Sequence, residues 1–170
     1  MRLKADNPVL AKAITIHPKA KRSPLETTLL KSVAGNKKLG DGSNVVTKGK
    51  WTGMPMFQLS LEERASCPRS CKQWDNCYAN NMAFAHRIDH THPEFYNILD
   101  AELRVLTLRY RHGFVVRLHV IGDFPTDEYV EYWRYMTDQH KNIKVFGFTA
   151  HTPDSTIGRR IAVFNTNPNV

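Results

Sequence analysis

Phe114-Val115-Val116-Arg117-Leu118-His119-Val120-Ile121-Gly122-Asp123-Phe124-Pro125 is the stretch that decides how this chain folds. Its β-branched residues alternate as a strand should, with Val116, Leu118 and Val120 on one face and Arg117, His119 and Ile121 on the other. Glycine and proline then end it. Upstream, Phe95, Leu99, Leu103, Leu106 and Tyr110 recur at intervals of three and four, the stripe of an amphipathic helix that Gly113 terminates. Downstream, Thr126 is placed to cap a second helix whose first turn is acidic (Asp127, Glu128) and whose Tyr129, Trp133 and Met136 share a face. A strand between two such helices is the mark of βαβ units, which predicts a parallel sheet.

The alternation continues on both sides. Pro55 to Leu61 reads as a short strand, residues 143–149 as a buried one running into Thr149-Ala150-His151-Thr152-Pro153, and residues 155–163 as a helix, with another strand starting at Val170. Shorter helices are expected over residues 27–34 and 80–88. Chemistry in parallel sheets gathers at the carboxyl ends of the strands. Three unusual motifs fall there: a cysteine loop after the first strand, Gly122-Asp123 after the second, and Thr149-Ala150-His151 after the third. The alternation also sends Arg117 and His119 away from the aliphatic face, so these two join Thr149 and His151 as candidates for lining a site.

The cysteine loop is Ser66-Cys67-Pro68-Arg69-Ser70-Cys71-Lys72-Gln73-Trp74-Asp75-Asn76-Cys77-Tyr78-Ala79, and it holds all three cysteines of the protein. An odd number of thiols at C-x3-C-x5-C spacing makes no disulfide framework; it reads as a metal loop with reduced thiols in the cytoplasm. Zinc would require a fourth ligand such as His86, His90 or His92. A 4Fe-4S cluster held by three cysteines leaves one iron open instead. Trp74, inside the loop, is expected to shield the metal from water.

At 170 residues the chain is long enough for one domain plus an appendage. Its net charge of +8 is concentrated at the front: residues 1–50 carry eleven Lys and Arg against Asp6, Glu26 and Asp41, whereas the remainder is balanced. This divides the chain into an irregular basic N-terminal arm and loop over residues 1–50 and a βα-repeat domain over residues 51–170. A basic arm favours a polyanion such as nucleic acid. Gly35-Asn36-Lys37-Lys38-Leu39-Gly40-Asp41-Gly42 is read as a turn, or as a loop whose amides face a phosphate, although it matches neither a Walker loop nor a dinucleotide fingerprint. No apolar run is long enough to span a membrane and the first residues form no signal peptide, so a soluble protein is expected.

A resemblance sharpens these readings. Cys67-Pro68-x-x-Cys71 leading to Cys77-Tyr78-Ala79, preceded by Gly35-Asn36-Lys37-Lys38-Leu39 and followed by Val120-Ile121-Gly122-Asp123-Phe124 and Phe146-Gly147-Phe148-Thr149, resembles the phage and plasmid gene product 88 family. The order of elements is similar to the front half of a radical S-adenosylmethionine (SAM) enzyme. The resemblance implies an α/β fold, a truncated, parallel-sheet partial (β/α) barrel. It implies Cys67, Cys71 and Cys77 on a 4Fe-4S cluster, Gly122 and Asp123 at the amino group of SAM, and His119 and Thr149 beside them. The superfamily's last cysteine gap is shorter, with an aromatic before the final cysteine, where Tyr78 here follows it. The function expected is that of a SAM-dependent radical enzyme, or a degenerate relative, on an unknown substrate. The alternative is a zinc-stabilised nucleic-acid-binding protein of phage or plasmid origin.

Overall fold

The computed structural model describes residues 1–35 and 41–170, so most of the basic glycine loop lies outside the described residues. In chain order the elements are α1 (Pro8–Lys12), β1 (Lys21–Arg22), β2 (Lys31–Ser32), β3 (Met56–Gln58), β4 (Arg87–Ile88), α2 (Phe95–Arg109), β5 (Phe114–Leu118), α3 (Asp127–Gln139), β6 (Ile143–Gly147) and α4 (Thr156–Phe164). The predicted strand of the central motif is β5, at the heart of a sheet ordered β2-β3-β5-β6. Its pairings with β3 and β6 are parallel, as the intervening helices require, and only β2 runs antiparallel. β1 and β4 form a second, parallel pair.

Residues 59–62 join the two sheets. The Leu59 amide donates to Arg117 O (3.2 Å) and the Leu61 amide to Ile121 O (2.9 Å), while on the opposite side the Ile88 amide donates to Ser60 O (3.1 Å). The result is a mixed α/β fold with small, mostly parallel sheets, and the described strands do not close into a barrel. The alternation of β5 sorts the core. Phe114, Val116 and Leu118 pack with Leu99, Leu103 and Trp133 beneath the helices, whereas Val115 packs with Val33 and Met56 on the other face. Thr126 caps α3 by accepting from the Tyr129 amide, and Ser155 caps α4 by accepting from the Gly158 amide.

Three local expectations are corrected. Residues 27–34 form no helix, because the Glu102 carboxylate of α2 takes the Leu29 and Leu30 amides (2.8 Å each) and β2 pairs with β3. Residues 80–88 form no α-helix either: a single 3-10 turn, Tyr78–Asn81, ends at Asn81, and beyond it the chain makes tight turns whose Met82 and Ala85 carbonyls, like that of Ala79, accept from Arg87. Val170 starts no strand; its amide closes a turn onto Asn167 O, and Asn169 O accepts from the Val145 amide at the edge of β6.

The basic front packs as a strap across the cysteine loop. The Leu3 amide donates to Asp75 O, Arg2 pairs with Asp75 at 2.7 Å, and Arg69 donates to the Leu10 and Ala11 carbonyls. Leu10, Thr15 and Ala20 are buried. Part of its charge is therefore used internally, since Lys21 also pairs with Glu62 (2.9 Å) and Asp89 (3.1 Å), while Lys4, Lys12 and Lys19 stay exposed. Among the described residues no helix is long and apolar enough to cross a membrane.

A buried charge network anchors the strap and the loop to the sheets. Arg87 Nε donates to Glu63 Oε2 at 2.7 Å, with both side chains almost fully enclosed. Thr15 Oγ1 donates to Glu63 Oε1 (2.8 Å), and Arg64 donates to Trp74 O (3.0 Å) and to the Asn80 side chain. Replacing Arg87 by Met strands the Glu63 carboxylate, and urea unfolding should show a loss of about 3–5 kcal/mol. The double variant Glu63→Leu/Arg87→Met should stay below wild type, because the Ala85 carbonyl loses its donor and the Ala79 and Met82 carbonyls each lose one of two. Full recovery in the double variant would reduce Arg87 to a mere ion-pair partner.

Candidate functional site

The cysteine loop has no regular structure because its residues make a succession of tight turns. The Cys71 amide closes onto Pro68 O, the Trp74 amide onto Cys71 O and the Asn80 amide onto Cys77 O, each at 3.0 Å. These turns bring Cys67, Cys71 and Cys77, all free thiols, to one wall of a cavity of about 360 Å³. Ligand cavities run from roughly 300 to 1,000 Å³, so this one suits a single compact group. The opposite wall comes from the carboxyl ends of the parallel strands: Arg117, His119 and Ile121, then Gly122 and Asp123, then Phe148 and Thr149.

Gly122 and Asp123 lock this wall to the loop. Gly122 has φ +88°, and a Cβ there would sit 2.6 Å from Ser66 Oγ and 2.8 Å from Leu61 Cβ, so only glycine allows the approach. Ser66 Oγ accepts from the Asp123 amide (3.1 Å) while donating to Glu62 O (2.8 Å). The Asp123 carboxylate accepts from the Phe124 amide (2.8 Å) and the Ala150 amide (2.7 Å), tying the ends of β5 and β6 together. His151 Nε2 meets Phe124 O at 2.8 Å, and Thr149 Oγ1 accepts from the His151 amide.

His119 is enclosed between Phe124 and Tyr129, with Nε2 at 2.9 Å from the Tyr129 hydroxyl. Burial pulls its pKa down to about 3, so the ring is neutral, and its Nδ1 has no partner among the described residues. Burial pushes the Cys67 thiol up to about 12 and raises Cys77 as well. Thiolates in this wall therefore require a nearby positive centre.

The seven residues expected at the site, Cys67, Cys71, Cys77, His119, Gly122, Asp123 and Thr149, all line this cavity. His86, His90 and His92 do not: His86 faces Lys31 in a neighbouring cleft and His92 Nδ1 accepts from the Glu94 amide. Trp74 lies outside as well, with Nε1 donating to Leu10 O and its ring against Arg69. Ser66 was missed as an anchor, and nothing in its sequence context marks it. Tyr78, which also lines the cavity, was legible only as the neighbour of Cys77.

Among the described residues no group of three His, Cys, Asp or Glu side chains converges closely enough for a single metal ion. A lone zinc ion would need four donors drawn into one closed tetrahedral set. The three thiols are the ligand type of an iron–sulfur cluster, which spreads its thiolates over different irons, and Asp123 and His119 line the same cavity.

Two measurements test the geometry. Gly122→Ala should cost about 2–4 kcal/mol in urea unfolding from backbone strain and overpacking, and a near-neutral result would contradict the close approach. Because the folded pKa of His119 lies below the unfolded value of about 6.5, the unfolded chain takes up the extra proton. The contribution of the neutral ring is complete above that pH and is lost progressively as pH falls toward about 3. Wild type should lose urea stability more steeply than His119→Gln between about pH 7 and 4.5, and parallel curves would refute the buried neutral ring.

Comparison with curated proteins returned no match, and neither did comparison with solved structures. A protein-family model described as gene product 88 matches residues 28–161, a span that includes every cavity residue named above. With most of its length covered by that model, the chain belongs to the gene product 88 family.

Proposed function

We propose that the cysteine cavity holds a 4Fe-4S cluster on Cys67, Cys71 and Cys77, and that the chain is a SAM-dependent radical enzyme or a degenerate relative of one, acting in the reducing cytoplasm. On this reading the sheet is a partial (β/α) barrel similar to the front of that superfamily. One observation carries the proposal: three free thiols and the carboxyl ends of two adjacent parallel strands, β5 and β6, line the same cavity. When bound, such a cluster supplies one-electron chemistry and an iron open to a ligand.

The chain's own residues do the placing. The turns of the loop present the thiols, and Ile121, Phe148 and Tyr78 add apolar surface to the cavity lining. Gly122 lets the rim of β5 approach the loop. Both Asp123 oxygens already accept an amide, yet each retains a second lone pair, so an ammonium group such as that of SAM can still be received there. Thr149 and the unpaired Nδ1 of His119 are the other polar groups on this wall. The zinc reading is the weaker one, since the histidines it would recruit stand outside the cavity. Nucleic-acid contact through Lys4, Lys12 and Lys19 remains compatible with either, but no feature of the cavity calls for it.

Anaerobic reconstitution with iron and sulfide tests the proposal. A brown protein with about four irons per chain, bleached by dithionite, is expected, and Cys67→Ser, Cys71→Ser and Cys77→Ser should each lose most of that iron. A colourless protein carrying one zinc would overturn it. Addition of SAM should change the electron paramagnetic resonance spectrum of the reduced cluster, and an unchanged spectrum would remove SAM from the proposal while leaving the cluster.

A further inference from the structure

Arg117 differs from the two buried arginines in having no carboxylate. Arg87 donates to Glu63 and three carbonyls, and Arg64 reaches Trp74 O, Asn80 and, at 3.6 Å, the Glu63 carboxylate, although its Nη1 makes no hydrogen bond. Arg117, half-buried in the wall of the cysteine cavity, joins none of the ion pairs among the described residues, and its Nε is buried without a hydrogen-bond partner. Asp123, the carboxylate of that cavity, has both oxygens engaged by the Phe124 and Ala150 amides. A lysine or histidine in such a position could shed its proton, but a guanidinium cannot, so its charge stays and is costly to leave unpaired. The unpaired His119 Nδ1 belongs to a second residue of the same cavity. Two nitrogens without partners on residues of one ligand-sized space, one of them on a guanidinium that no carboxylate pairs, call for a partner that the chain itself does not supply.

We propose that Arg117 is the anion-binding residue of the cysteine cavity and holds a carboxylate or phosphate of the molecule that binds there, with His119 as a secondary polar contact. The planar fork of a guanidinium matches either oxyanion in two-point contact. The inference rests on the reading of this cavity as a ligand site, but it does not need the cluster.

The test therefore uses metal-free protein prepared with a chelator, and follows thermal unfolding in inorganic phosphate, in L-methionine and in chloride at matched ionic strength. At saturation at least one of the two oxyanions should raise the wild-type Tm, on the order of 5 °C. A response to methionine alone assigns the anion to an amino-acid carboxylate, and a response to phosphate alone assigns it to a phosphate ester. Arg117→Met should remove the shift and, in chloride, melt above wild type, because an unpaired charge has gone. Arg117→Lys keeps the charge without the fork and should retain at most a small part of the shift. The proposal is overturned when neither anion moves the wild-type Tm, when the shift survives in Arg117→Met, or when Arg117→Met melts below wild type in chloride. Iron content in the reconstituted protein reports separately on the cluster, so one reading can fail without the other.

Discussion

The Glu63–Arg87 contact is the constraint from which the rest of this structure follows. Between the end of the β3 segment and β4 the chain runs through turns that leave many carbonyls without helix or strand partners, and buried carbonyls need donors. One guanidinium answers for three of them, at Ala79, Met82 and Ala85, while its Nε neutralises Glu63. Arg64 does the same for Trp74 and Asn80. A buried ion pair alone is weak evidence of stability, since desolvation offsets much of the attraction. Here the pair is embedded in a set of charge-assisted hydrogen bonds to backbone, and its value lies in fixing a path that local propensity does not fix.

That fixed path lets the loop meet the sheet at a defined place. Ser66, one turn beyond the network, accepts from the Asp123 amide, and Gly122 removes the side chain that would keep the two segments apart. Asp123 then carries the tie across to Ala150 at the end of β6. The glycine–acid pair is thus first of all a fastening between the loop and two strand ends. Its place in the cavity wall follows from that fastening, and so does the meeting of thiols and strand-end polar groups in one space. The strap of residues 1–22 closes the outside of the loop through Leu10, Thr15 and His17, completing a layer that neither the loop nor the sheet could form alone.

The sequence was most legible where a pattern repeats. The 3.6-residue stripe of α2, the caps of α3 and α4, and the alternation of β5 follow from periodicity and capping chemistry, and the parallel order follows from their sequence. The cavity residues were legible because they sit at strand ends and because three thiols in a short loop are rare. What periodicity cannot carry was lost. Residues 27–34 and 80–88 look helical locally, and only contacts with Glu102 and Arg87, distant in sequence or burdened with carbonyls, redirect them. Charge could not reveal how the N-terminal segment packs, because a count of lysines records sign and not contacts, and Leu10 and Thr15 are among the residues it buries.

Arg87 and Arg117 differ in what they meet. Arg87 donates to Glu63 and to three backbone carbonyls, all in support of the fold. Arg117 comes from β5, an interior strand of the sheet, and has no ion-pair partner among the described residues. A strand position is rigid, so the unpaired state is not relieved by a swing of the backbone. Departures from local consistency concentrate at functional sites, where a ligand completes what the protein leaves open. The three thiols line the same cavity, so a group bound there is framed by sulfur as well as by the guanidinium.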